Sequence, residues 1–276
     1  MTKVSSLLAI AFTTLVTSTF SFSQTNDTYF DFDGDGQILI EDIENLNNAN
    51  MLSENRLEQL FTNAAPLFLS DTTSPGDGLS RREAQEYVGF PIGRINSQVT
   101  NDVMAQLWGG KTFYKNSGNK VMLDNRMLPL VQNLLDGVTD ITDLIPLLGG
   151  PLSGIVDGVS GLVSIDAVAA EVYKVENSLF DGKPAVLLNY SETILPILQG
   201  IRDEIRLVDE ETQLYIGRAN IEIGYGSIEY AESVSLINTI NGALINGRNC
   251  KEEMGGEYVK GETCFALWFA LQPKQD

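Results

Sequence analysis

Three aspartates at every second position, Asp31, Asp33 and Asp35, stand in the stretch Asp31-Phe-Asp-Gly-Asp-Gly-Gln-Ile-Leu-Ile-Glu-Asp42. Carboxylates at places one, three and five of a tight loop can aim their oxygens at one centre. Calcium needs such a cage, with roughly six to eight oxygens at about 2.3–2.6 Å. Gln37 offers its backbone carbonyl at place seven, and Asp42 closes the loop at place twelve. Gly36 permits the positive φ of the turn. Ile38, at place eight, is an apolar residue suited to pairing with a neighbouring loop. Asp42 is one methylene shorter than the glutamate that binds through both oxygens. A one-oxygen contact there weakens calcium or admits magnesium.

These residues resemble the calcium loop of an EF-hand. The aspartate closure, running straight into a helix, also resembles dockerin repeats. The EF-hand resemblance implies a second loop nearby, and Asp71 to Glu83 is the candidate, starting 40 residues after Asp31. Aligning Leu79 with Ile38 places Ser80 at nine and Glu83 at twelve. The front half then carries one extra residue, 13 in place of 12, which shifts Asp71 and Asp77 as ligands. Ser80-x-x-Glu83 is equally a capping box opening a helix, so a calcium loop and a metal-free turn both stay open. Between the loops, Leu57, Leu60, Phe61 and Ala64 recur at helical spacing. Ser53 or Glu54 starts that helix, and Pro66 ends or bends it. Ala84 and Tyr87 are expected to continue a short helix after the second loop. Residues 24–30 are too short and polar for a full entering helix, so the first hand is abbreviated.

The frame around the loop is that of an exported chain. Lys3 is the only charge before Asp27, Leu7 to Val16 is apolar, and Ser21 and Ser23 flank Phe22. This pattern predicts a signal peptide over 1–23, cut near Ser23-Gln24. No later segment offers the roughly 20 apolar residues of a membrane span. A secreted or periplasmic location is expected. The 276 residues carry a formal charge of −19, and losing residues 1–23 removes one lysine and no acid, giving −20. Such a balance excludes nucleic acid and anionic membrane surfaces as partners, since both require basic patches. Cys250 and Cys264 are the two cysteines. In an exported protein they are expected to form a disulfide, worth about 3 kcal/mol in the chain-entropy model.

Beyond a connection near Pro91 to Asn101 the pattern becomes β-rich. Strands are expected over 111–114, 168–175, 185–190, 201–208, 213–223 and 264–271, separated by turns such as Asp181-Gly182-Lys183-Pro184. Their spacing suggests an antiparallel sheet curled into a barrel. The pieces Trp108-x-x-Lys111-x-Phe113, Asn125-Arg126, Asp181-Gly-Lys-Pro184, Leu188-x-Tyr190-Ser191, Arg202-Asp-Glu-Ile-Arg206 and Tyr215-x-Gly217 resemble a group of lipocalin-like proteins of uncharacterised activity. That resemblance implies a barrel and carries no catalytic residues. The segment from about 127 to 167 reads as short amphipathic helices broken at Gly149-Gly150-Pro151, a helical insertion packed on the barrel. It has no basic residue, which again disfavours anionic membranes.

The expected fold is therefore α+β. An N-terminal EF-hand-like helical pair over 27–90 precedes an antiparallel β-barrel-like domain over 100–276 with a helical insertion. Calcium is the expected cofactor, and a small apolar ligand the expected occupant of the barrel. With no histidine in the chain, Ser-His-Asp and Cys-His devices are excluded and zinc enzymes lose their usual ligands. Arg202, Glu204 and Arg206 share one face of a strand, with Asp203 on the other. A salt-bridge ladder is the plain interpretation of that face. If it points into the barrel it becomes a polar head-group site, with Tyr190 and Trp108 lining the same interior. A secreted enzyme using barrel carboxylates and a dockerin-like interaction module are the two alternative functions.

Overall fold

The structure, a computed structural model, describes residues 28–68, 84–92, 108–127 without 117 and 119, 169–193, 199–225 and 254–275. The signal segment, the second loop with Asp71, Asp77 and Glu83, nearly all of the insertion, and Cys250 lie outside the described residues. Cys264 is buried.

Two helices come first, α1 (Ile40–Asn48) and α2 (Glu54–Asn63). Ser53 caps α2, its side chain accepting from the Arg56 amide at 3.3 Å, as its residue type and position predict. Eight strands follow: β1 (Gln85–Ile92), β2 (Trp108–Lys115), β3 (Val121–Met127), β4 (Ala169–Val175), β5 (Ala185–Asn189), β6 (Ile201–Asp209), β7 (Leu214–Glu222) and β8 (Thr263–Pro273). Each pairs antiparallel with the next, and β1 pairs with β8 to close the barrel.

Six of these strands coincide with the expected ones. The exception of consequence is β1. Residues 85–92 were expected to hold the exit helix of a second hand, yet they form a strand bonded on both edges, Tyr87 to Lys111 and to Pro273. The physical reason is non-local. Tyr87 drops into the barrel and Ile92 onto its outer face, and no helix could deliver both while completing two ladders. The boundary expected near residue 90 therefore falls inside a barrel strand.

Alternation sorts the side chains of every strand. On β6, Asp203, Ile205 and Leu207 point inward while Glu204, Arg206 and Val208 point outward. The inner set joins Tyr87, Phe113, Leu123, Val172, Leu188, Tyr215, Phe269 and others in one core. The outer set of β6, β7 and β8 joins α1 and α2 in a second core, where Ile43, Leu46, Leu57, Leu60 and Phe61 meet Val208, Ile216, Trp268 and Ala270. The helices are thus a strap on the barrel wall. Elsewhere the outer face carries ion pairs such as Lys120–Glu171 and Arg126–Glu86. Apolar-in and polar-out is the reverse of a membrane-spanning barrel.

The strap is pinned by Arg206. Its guanidinium grips Asp181 with two bonds, at 2.8 and 2.7 Å. It also donates to the carbonyls of Phe61, Pro184 and Lys183 and stacks 4.3 Å over the Phe61 ring. Just beyond, Ala65 exchanges two backbone hydrogen bonds with Leu207, at a level of β6 that lies before β5 begins. The chain then inserts Phe68 between Tyr87, Phe113 and Tyr215, with centroids 6.3, 4.6 and 5.7 Å away. One end of the barrel is thereby plugged.

Arg206 is almost wholly buried, so its carboxylate partner is not optional. Burial is the largest single influence on Asp181 and raises its pKa, but the Arg206 hydrogen bonds, the Lys183 amide and the charges of Arg206 and Lys183 together hold it below the usual aspartate range. Replacing Asp181 with alanine should cost about 3 kcal/mol, as expected when a buried ion loses its partner. A lowered carboxylate pKa contributes stability above the unfolded value and loses it as pH falls through the folded one. The difference in urea midpoint between wild type and Asp181→Ala should therefore be full at neutral pH and shrink in acid below the aspartate range.

Candidate functional site

Two constellations carry candidate chemistry. The first is the acidic loop. Carboxylate oxygens of Asp31, Asp33 and Asp35 lie within 4.8 Å of one another. Backbone amides shape the loop: Asp31 accepts from Gly34, Asp35 and Gly36, Asp33 from Asp35, and Asp35 from Gln37, all between 2.7 and 3.1 Å. Gly36 sits at φ +91°, the conformation its place in the loop requires. Convergence of three hard oxygen donors fits a divalent oxygen-seeking cation.

The structure groups only some of the sequence-predicted ligands. Asp42 stands apart from the converging three. Its carboxylate is buried and accepts from the amides of Phe32 at 3.1 Å and Leu39 at 2.7 Å. Burial raises its pKa, against the pull of those two amides. It therefore bridges the start of the loop to the start of α1. The Gln37 side chain donates to Glu211 at 3.2 Å, and the Ile38 carbonyl accepts from Thr212 at 2.9 Å. Gln272 accepts from Ile40 and donates to the Thr212 carbonyl. The loop is thus seated on the β6–β7 turn and β8 of the barrel.

The second constellation lies inside the barrel. Lys111 on β2, Asn125 on β3, Tyr190 after β5 and Asp203 on β6 meet there, although they are far apart in sequence. Lys111 Nζ donates to Asn125 Oδ1 at 3.0 Å, to the Tyr190 hydroxyl at 2.6 Å and to Asp203 Oδ2 at 3.2 Å. Three donors is the full complement of an ammonium. Tyr190 donates to Asp203 Oδ2 at 3.3 Å, and Trp108 Nε1 donates to Asn125 Oδ1 at 3.2 Å. The rings of Trp108, Tyr190 and Phe269 surround Nζ at 5.2–5.3 Å, a favourable cation–π setting. Phe269 lies flat on Gly217, where a Cβ would come within 2.2 Å of the ring.

Lys111 and Asp203 are 2 % and 5 % exposed. Burial lowers the lysine pKa and raises that of the aspartate, and each partner's charge opposes the shift in the other. Burial and the Asp203 charge push the Tyr190 phenol upward, so it stays a proton donor. Oδ1 of Asp203 has no hydrogen-bond partner among the described residues.

The Arg202–Glu204–Arg206 face points out of the barrel, away from this cluster. Arg202 pairs with Glu222 at 3.1 Å, and Glu204 accepts from Ser178 and the Leu179 amide. The two arginines of that face are ion-paired, Arg202 with Glu222 and Arg206 with Asp181, but Glu204 is held by neutral donors, so the face carries separate ion pairs in place of the expected ladder. Tyr190 and Trp108 do line the interior, but they meet Lys111 and Asp203 there and not the Arg202–Glu204–Arg206 face with which they were conditionally grouped. Sequence reasoning did not single out Lys111 and Asp203 as a pair. A signal for them existed: Asp203 interrupts the apolar alternation of Ile201, Ile205 and Leu207, and Lys111, of opposite sign, stands two residues before Phe113 on the same face of its strand.

The fold and its sites define an up-and-down eight-stranded barrel with a helical strap and a buried polar cluster. Compared with protein-family models, curated proteins and solved structures, the chain matches none.

Removing one member of the buried pair should be costly, and removing both much less so. Lys111→Met is expected to destabilise by about 3–5 kcal/mol. The double variant Lys111→Met, Asp203→Leu should regain most of that in urea unfolding, giving a large coupling energy in the double-mutant cycle.

Proposed function

We propose that this is an exported calcium-binding protein, with calcium held in the Asp31–Asp42 loop of a strap that covers a lipocalin-like barrel. The observation that carries this reading is the convergence of the Asp31, Asp33 and Asp35 oxygens within 4.8 Å, in the order that the EF-hand resemblance anticipates. The Asp71–Glu83 loop is the candidate second site. Export fits the reading because calcium is abundant outside cells, and there the Cys250–Cys264 pair would be oxidised. Because the loop is seated on Glu211 and Thr212, an ion in it would steady the strap against the barrel. That is a structural role rather than a sensor's. The apolar faces of α1 and α2 are spent on the barrel wall, which speaks against a dockerin-like docking role. Asp203 neighbours a lysine and a tyrosine rather than a second carboxylate, which removes the support for paired-carboxylate catalysis.

Calcium titration of the mature protein tests this directly. Binding is expected with a Kd of about 10⁻⁴–10⁻³ M, the range of extracellular modules. Calcium should raise the thermal midpoint of the wild type, and an Asp31→Asn, Asp33→Asn, Asp35→Asn variant should lose the high-occupancy site. No heat and no thermal shift at calcium well above that range would sink the proposal.

The barrel half of the reading is that its interior holds a small, mainly apolar ligand. The polar cluster favours this by its position. It lies toward the barrel end from which the connections 93–107, 128–168, 190–200 and 223–262 leave, opposite the end plugged by Phe68. Among the described residues, Trp108 and Asn125 of the cluster are only half-buried, and it is past them that a ligand would enter. Fluorescence of the neutral probe N-phenyl-1-naphthylamine should rise saturably on mixing with the protein, and a flat titration would reject this half.

A further inference from the structure

We propose that Asp203 Oδ1 is the acceptor for the head group of the barrel's ligand. It selects a neutral molecule with an O–H or N–H donor on an apolar body and rejects a carboxylate. The inference rests on the ligand-binding reading of the barrel and adds the chemistry of its occupant.

The hydrogen-bond inventory of the cluster leads to this choice. Lys111 has spent its three donors on Asn125, Tyr190 and Asp203. Tyr190 has spent its proton on Asp203 Oδ2, and Trp108 its N–H on Asn125. The donors of Lys111, Tyr190 and Trp108 are therefore committed within the cluster. One strong acceptor, Asp203 Oδ1, is buried without a partner among the described residues. A buried carboxylate oxygen left unmatched is expensive, and a donor brought to it recovers that cost. The complement of this site is a donor.

Charge points the same way. Lys111 and Asp203 neutralise each other at 3.2 Å inside an apolar wall. A carboxylate ligand would bring a second negative charge beside Asp203 in a buried interior, with the Lys111 cation already engaged. A hydroxyl or primary amide adds no charge. Trp108 is half-buried and packs edge-to-face on the buried Phe269, with centroids 5.7 Å apart, so the head group would approach past the indole, whose ring would also meet the adjoining apolar body. A site whose polar atom must be matched discriminates strongly against an analogue lacking the matching group.

The test is displacement of N-phenyl-1-naphthylamine from the mature wild-type protein by decan-1-ol, its methyl ether and decanoate at neutral pH. Decan-1-ol should displace the probe at concentrations about tenfold or more below those needed for the other two, since one such bond to a charged acceptor is worth roughly that factor. An ether as effective as the alcohol, or decanoate as effective, overturns the inference while leaving the ligand-binding reading intact. A probe that never binds overturns both. The Asp203→Asn variant supplies a second readout. It leaves the Lys111 charge uncompensated, so the order should shift toward decanoate, and an unchanged order in a folded variant counts against the proposal. Should that variant fail to fold, the wild-type ranking of the three probes still decides.

Discussion

Closure of the sheet through β1 and β8 is the constraint on which everything else in this molecule depends. Six residues of each strand face one another, from Tyr87 and Pro273 to Ile92 and Trp268. Once that ladder is made, no sheet edge remains and every strand has an inside and an outside. The inside becomes a dry compartment in which one lysine and one aspartate must find each other. The outside becomes a wall against which a helical strap can pack. Without closure neither environment exists, and the burial that shifts the Lys111 and Asp203 pKa values would vanish.

Two arginine-centred and lysine-centred networks divide the molecule between them. Arg206 works on the outer wall, tying the end of α2 and the β4–β5 turn to β6. Lys111 works on the inner wall, tying β2, β3, β6 and the end of β5 together. Both are nearly fully buried cations with a carboxylate partner, and removing one member of such a pair leaves an uncompensated buried charge. Residues 202–206 serve both networks at once, because alternation sends Arg206 to one and Asp203 to the other. The Ala65–Leu207 bridge and Phe68 then carry the strap from the outer wall into the plugged end.

Much of the barrel was legible in the chain. Strands β4 to β8 announce themselves by β-rich runs between turn residues, and α2 by its cap at Ser53 and its stripe of Leu57, Leu60 and Phe61. The strand β1 was not legible, since Ala84 and Tyr87 sit after a plausible capping box and their local pattern suits a helix. Only the two partner strands on either side make Gln85–Ile92 extended. Strand β3 was visible as no more than the pair Asn125-Arg126. Among the site residues, Asp31, Asp33 and Asp35 are grouped by local spacing alone. Asp42 was read as a ligand from its place in the loop, and its buried contacts with Phe32 and Leu39 depend on the fold.

By itself, the sequence determined the acidic loop, the Ser53 cap of α2 and the alternation that places Asp203 opposite Glu204 and Arg206. These are short-range matters, set by side-chain spacing and backbone preference within a dozen residues. Which face of β6 would be interior was left to the tertiary structure. So were the seating of the loop on Thr212 and Glu211 and the meeting of Lys111 with Tyr190 and Asp203. These contacts join residues scores of positions apart, and they exist because closing the barrel leaves each strand a single inward face.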